Sequence, residues 1–268
     1  MRRAVEHAET ARPGRALLGK ACLVTGAGRD LSAAIADGLA REGALLGIHY
    51  NRSKAGAMRL QRQIIRRGGI AHVVQADLRD ETAVRRMVRQ AHRLLGRIDI
   101  LVNSAGLFYR SDLFDTPMRS LDLLFDLNLK AALICARECA AVMTRQGSGC
   151  IVNISSLGAF EAWPGYLGYC ASKAALVSAT RTMALQLAPA ITVNSVAPGF
   201  IDLPSELSLA ARRRIIAKIP AARLGSYDDV VGAVLYLCRS PYVTGQVLLV
   251  DGGASIRHQA PGISDRYR

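Results

Sequence analysis

Short apolar runs alternate with stretches of helical periodicity from residue 20 to residue 250 of this 268-residue chain. The runs Lys20–Thr25, Ala44–Tyr50, Ala71–Gln75, Asp99–Val102, Cys150–Ile154, Ile191–Val196 and Val247–Val250 predict strands. Between them, Ala33–Glu42, Ser53–Arg67, Glu81–Leu95, Leu121–Thr144 and Tyr166–Leu187 predict helices. Strand–helix alternation implies parallel strands joined by right-handed crossovers, which is an α/β doubly wound sheet. No linker, repeat or low-complexity segment interrupts it, so residues 18–256 are expected to form a single domain. Residues 1–17 are polar and Arg-containing and predict a disordered tail, and residues 257–268 a second tail. One segment breaks the alternation. Leu203–Leu224 lies before the last strand and carries Arg212, Arg213 and Arg214 on a short helix. At the carboxyl ends of such a sheet it suits a substrate lid, with a solvated surface helix as the alternative.

Composition narrows the function classes. Half the residues are hydrophobic, yet no apolar run reaches the ~18 residues of a membrane helix. The N-terminal stretch lacks an apolar signal-peptide core, and Glu6 and Glu9 interrupt the positive charge of a mitochondrial presequence. The expected location is cytoplasmic, without membrane association. The net charge of +14 raises nucleic acid as a partner. However, the basic residues are spread along helical segments without a continuous stripe interleaved with aromatics, so no nucleic-acid partner is expected. The six cysteines form no Cys-x-x-Cys pair and have no histidine near in sequence, which predicts buried thiols and no metal site.

Two places carry chemistry. The first strand ends in Thr25-Gly26-Ala27-Gly28-Arg29-Asp30-Leu31-Ser32, and a helix follows. Glycines there let the backbone approach a pyrophosphate, and a helix N-terminus offers it free N–H groups. The second strand ends in His49-Tyr50-Asn51-Arg52-Ser53, with no acid to hold a ribose 2′-hydroxyl. Arg52 with Ser53 suits a 2′-phosphate, and Arg29 could reach it from the turn, so NADP(H) is expected rather than NAD(H). The second place is Tyr169 and Lys173, four apart on one helix face, with Ser156 thirteen residues before the tyrosine. An ammonium ~5 Å from a phenol at an effective dielectric of ~20 favours phenolate by ~3 kcal/mol, or about 2 pKa units. That would bring a tyrosine into the range of a general acid.

Together with Asp77-Leu78, Asn103-Ser-Ala-Gly106, Asn128, Asn194, Pro198-Gly199 and Asp251-Gly252-Gly253, these features make residues 20–256 resemble the short-chain dehydrogenase/reductase family. The resemblance implies a Rossmann fold and assigns roles. Tyr169 would protonate the substrate oxygen, Ser156 would orient the carbonyl, and Lys173 would hold the nicotinamide ribose and depress the tyrosine pKa. Asn128 would hold a water linking Lys173 to solvent. Asp77 and Leu78 would touch adenine, and Asn103, Ala105 and Gly106 would line the adenine-ribose side. Pro198, Gly199 and Ile201 would cover the nicotinamide. Members usually pair their long helices into dimers or tetramers.

The chain departs from the family pattern in three places. Asp30 and Ser32 stand for glycines, Ser104 for an asparagine, and Leu203 for a threonine. Asp30 and Leu203-Pro204, with the His49–Ser53 run, resemble pteridine reductases. The surroundings of Ile151–Ser156 and Pro198–Ile201 equally resemble 3-oxoacyl carrier-protein reductases. Phe108, Tyr109 and Trp163 are candidates either for clamping a flat ring or for packing a lid. The expected activity is NADPH-dependent reduction of a small-molecule or carrier-bound carbonyl. Pterin C=N reduction is the alternative, and a non-catalytic nucleotide sensor a second one.

Overall fold

The structure is a computed structural model that describes residues 16–201 and 207–256. Its strands are β1 (Ala21–Val24), β2 (Leu45–Tyr50), β3 (Ala71–Gln75), β4 (Ile100–Asn103), β5 (Gly149–Ile154), β6 (Ile191–Pro198) and β7 (Val247–Val250). They form one sheet in the order β3-β2-β1-β4-β5-β6-β7, with every neighbouring pair parallel. Successive strand residues point to opposite faces, and here both faces are covered. Val24, Ile48, Val102 and Val196 pack against α1 (Asp30–Arg41), α2 (Lys54–Arg66) and α8 (Tyr227–Arg239). Leu23, Leu101, Ile151 and Val193 pack against α3 (Glu81–Leu95), α5 (Ala131–Gln146) and the end of α6 (Leu167–Leu187). That is why the strands read as unbroken apolar runs instead of alternating ones. The two remaining helices are α4 (Met118–Phe125) and α7 (Leu209–Ile216).

The predicted strands are all present, and three differences concern other segments. Leu17, placed by the sequence in the tail, is buried in the core, and its N–H donates to Glu42 O. The predicted helix Leu121–Thr144 is α4 and α5 joined by a π turn at Asp126–Lys130. Apolar periodicity does not register one wider turn inside a helix. Helix α8 has no predicted counterpart. Its signals are nonetheless in the sequence: Ser226 and Asp229 form a capping box, followed by buried Val230, Val231, Val234 and Leu237. The proposed lid, residues 203–224, lies partly outside the described residues; α7 is its described helix.

The sheet order reverses between β1 and β4, whose carboxyl ends therefore diverge. A crevice opens there, the usual ligand position in such sheets.

Candidate active site

The first wall of the crevice is the glycine-rich turn after β1. Gly26 takes φ +72°, and a Cβ on it would stand 3.0 Å from Ala105 Cα. Thr25 Oγ1 accepts the N–H groups of Ser104 and Ala105, both at 3.0 Å, which ties the loop after β4 to the turn. A Cβ on Gly28 would lie 2.7 Å from Ser53 Cβ, so that glycine lets the turn touch the residue that opens α2. Asp30 opens α1 with φ +52°, the left-handed region that aspartate tolerates better than most residues. Its exposed carboxylate lies 3.5 Å from Arg29 Nε rather than capping the helix. No side chain caps α1, so its first N–H groups are open to an anion. Ser32 and Ser104 meet: their hydroxyls are 2.8 Å apart.

Beneath the turn lies His49, almost wholly buried. Its Nδ1 accepts the Gly26 N–H at 3.0 Å, and its Nε2 lies 3.1 Å from Ala76 O. Burial lowers its pKa to about 4, so the ring is neutral, with the proton on Nε2.

The nucleotide-side cations are Arg29, Arg52 and Arg79. Arg79 donates through Nε to Asp77 Oδ1 at 3.0 Å, and this pairing lowers the Asp77 pKa to about 2. Arg79 is absent from the sequence-derived site; its signal is an arginine two residues past the acid that follows β3.

The crevice is a cleft of about 1160 Å³. It brings together Gly26, Arg29, Asp30, Leu31, Asn51, Arg52, Ser53, Leu78, Ala105, Gly106, Ser156, Tyr169, Lys173, Pro198, Gly199 and Ile201 of the predicted set. Asp77, Asn103 and Asn128 do not line it. Asn103 is buried under its floor, where Nδ2 donates to Ala132 O and Asn153 Oδ1. Its Oδ1 is the one buried side-chain polar atom without a partner among the described residues.

At the far end, Ser156 and Tyr169 both line the cleft, and Ser156 Oγ accepts the Gly158 N–H at 3.1 Å. Lys173 is 6% exposed and donates to Ile154 O at 2.8 Å, with Nζ 5.9 Å from the Tyr169 ring centroid. Burial lowers its pKa to about 8. For Tyr169 the structure corrects the sequence: loss of water pushes its pKa up, and the nearby Ser156 hydroxyl only partly opposes this. The lysine's field was weighed without the phenol's own loss of water, caused by a wall of rings. Trp163 stacks on Tyr169 with centroids 6.2 Å apart, and Phe108 meets it edge-on at 4.7 Å. Phe108 also stacks on Tyr166, and Trp163 on Phe200. Tyr109 is not part of this wall; its hydroxyl donates to Ser120 O.

Asn128 sits in the π turn. Its Oδ1 accepts the Leu107 N–H at 2.7 Å, and its Nδ2 donates to Leu107 O and Ser172 Oγ, both at 3.0 Å. Both amide hydrogens are therefore spent on protein. A Cβ on Gly106 would fall 2.8 Å from this Oδ1 and 3.6 Å from Lys173 Nζ, so glycine lets the chain pass this close to both.

Residues 26–255 match the family model described as enoyl-(acyl carrier protein) reductase. A 3-oxoacyl-(acyl-carrier-protein) reductase of Staphylococcus aureus is 36% identical over 239 residues, covering 87% of this chain and 97% of its own. The chain belongs to the short-chain dehydrogenase/reductase family. Within this oxidoreductase family, solved structures of the same fold differ in cofactor. FolM alternative dihydrofolate reductase 1 from Brucella canis, complexed with NADP, matches with TM-score 0.86 and 34% identity over 93% of this chain and 99% of that one. A 7α-hydroxysteroid dehydrogenase complexed with NADH and 7-oxo glycochenodeoxycholic acid matches with TM-score 0.85 and 32% identity, covering 88% and 94%. No helix among the described residues is long and apolar enough to cross a membrane.

Proposed function

We propose that this short-chain dehydrogenase/reductase is an NADP(H)-dependent reductase of a carbonyl compound. The observation that carries this reading is the convergence of Ser156, Tyr169 and Lys173 at one end of a cleft whose other end is lined by Arg29, Arg52 and Arg79. The residues present fit a dinucleotide. The start of α1 is uncapped, Gly26 and Gly28 let the turn close against Ala105 and Ser53, and no carboxylate follows β2 where a 2′-phosphate would lie.

Bound NADPH supplies the hydride to the carbonyl carbon. The chain supplies orientation and a proton. Ser156 Oγ donates to the substrate oxygen and fixes it beside the Tyr169 hydroxyl. Burial keeps that phenol protonated, which suits the direction of reduction, and its proton passes to the oxygen as negative charge develops there. Lys173, charged below about pH 8, lies close enough to steady the resulting phenolate. Asn128 fixes the Leu107 loop to α6 through Ser172. A water held between Lys173 Nζ and Asn128 would return the proton from solvent. A carrier-bound 3-oxoacyl group, as in the name of the Staphylococcus relative, is one substrate that fits; Arg213 and Arg214 on α7 would attract an acidic carrier.

A second reading is reduction of a pterin C=N bond. It is favoured by the rings of Phe108, Trp163, Tyr166 and Phe200 around Tyr169 and by the likeness to the Brucella reductase. The test is NADPH oxidation with acetoacetyl thioesters, simple ketones and dihydropteridines, using wild type and Tyr169→Phe. Thioester or ketone turnover lost in the variant supports carbonyl reduction, and turnover of dihydropteridine alone supports the second reading. Saturable NADPH binding with no turnover on any substrate points instead to a nucleotide sensor.

A further inference from the structure

We propose that His49 is the positioning residue of the nucleotide site, holding the pyrophosphate turn and the adenine loop to β2 with opposite sides of one neutral imidazole. This rests on the reading that the cleft binds NADP(H). One residue takes three contacts from two loops. Nδ1 accepts the Gly26 N–H, the His49 main-chain oxygen accepts the Ala27 N–H at 2.8 Å, and Nε2–H donates to Ala76 O. The first two N–H groups of the glycine-rich turn are thereby committed downward, into the fold. The phosphates are left to the open N–H groups at the start of α1, beyond Gly28. On its other side the ring pins Ala76, next to Asp77 and to Leu78, which lines the cleft. The imidazole thus sets the spacing between the two loops that would grip opposite ends of an adenosine diphosphate.

Function depends on the protonation pattern as well as on the shape. A side chain at this place must accept on the Gly26 side and donate on the Ala76 side, and imidazole with its proton on Nε2 does both. The low pKa keeps the ring in this form at neutral pH. Without an acceptor, the Gly26 N–H is buried unpaired. The turn can then regain hydration only by lifting toward the cleft, and NADPH must reseat it on binding.

The two amide side chains separate the two contacts. Asparagine carries an oxygen at the place of Nδ1 but stops short of Ala76. Glutamine reaches Ala76 but carries no acceptor at Nδ1. NADPH dissociation constants, kcat at saturating NADPH and melting temperatures are measured for wild type, His49→Asn and His49→Gln. Expected is a Kd about threefold weaker for asparagine, which loses only the Ala76 contact, and roughly tenfold or more weaker for glutamine, which leaves the Gly26 N–H unpaired, with kcat within about twofold in both. A packing role alone predicts the opposite order, because asparagine leaves the larger void. Equal Kd values in all three proteins, or a greater loss with asparagine, overturn the proposal while leaving the cofactor reading intact. Failure of wild type to bind NADPH overturns both.

Discussion

Replacing Lys173 by methionine should make the protein more stable and inactive. The ammonium sits at 6% exposure, and the fall of its pKa from the ordinary 10.5 to about 8 records what burying that charge costs. The drop corresponds to about 3 kcal/mol held against the folded state at neutral pH. Methionine has a similar unbranched shape and no charge. It also removes the donor to Ile154 O, which costs back about 1–2 kcal/mol. The net gain is about 1–2 kcal/mol, or roughly 3–6 °C in melting temperature for a chain of this size. The sign with pH provides the sharper check. Because the folded pKa lies below the unfolded one, the penalty is complete below about pH 8. Between there and 10.5 the unfolded chain still binds the proton that the folded one has released, so wild-type stability rises with pH. Thermal melts of the two proteins at pH 7 and pH 9.5, without added cofactor, should therefore differ at neutral pH and converge at alkaline pH. A variant that melts below wild type at pH 7, or a gap that does not change with pH, would show that Lys173 is not a costly buried cation.

Three further outcomes follow from contacts around the nucleotide end. Gly28→Ala places a Cβ 2.7 Å from Ser53 Cβ and 2.8 Å from Ser53 O, so the turn must lift off the start of α2. NADPH titrations should show roughly tenfold weaker binding, and unchanged affinity would mean the turn does not carry the phosphates. Arg52→Ala should lower the preference for NADPH over NADH by roughly tenfold in kcat/KM, since charge-assisted bonds to a phosphate are among the strong ones. An unaltered ratio would assign the 2′-phosphate to Arg29 or Arg79. Ser32→Ala and Ser104→Ala should couple by about 0.5–1 kcal/mol in a double-mutant unfolding cycle, whereas additive effects would mean the 2.8 Å contact contributes nothing.

Most of the fold was legible because buried strands and amphipathic helices leave long, local signatures. β2 and β3 match their predicted runs within one residue, and α3 matches its predicted span, with Asp80 accepting the Thr82 and Ala83 N–H groups at one end and Gly96 at φ +77° closing the other. Many of the cleft residues were accessible through the family resemblance, and they meet because loops at strand carboxyl ends converge in a parallel sheet. Less legible were features that need two distant segments at once. Ser32 and Ser104 look like two unrelated departures from a pattern, 72 residues apart, until the structure shows one hydroxyl bonded to the other. Arg79 looks like a surface arginine until it is seen folded back onto Asp77.

By itself, the sequence determined the doubly wound sheet, the turn with its glycines, and the Ser156, Tyr169, Lys173 constellation. The sheet and the turn follow from periodicity and from spacing within one loop, and Tyr169 with Lys173 from spacing on one helix; the place of Ser156 beside them follows from the family resemblance. Only the tertiary structure decided the protonation chemistry. The sequence supplies a lysine four residues from a tyrosine, and an ammonium nearby should lower a phenol's pKa. The folded chain buries Lys173 and half-buries Tyr169 against Trp163 and Phe108, and the loss of water raises the tyrosine and lowers the lysine. It likewise turned His49 from one letter of a strand into a neutral brace between two loops. Desolvation depends on everything that surrounds a group in space, and no sequence spacing reports it.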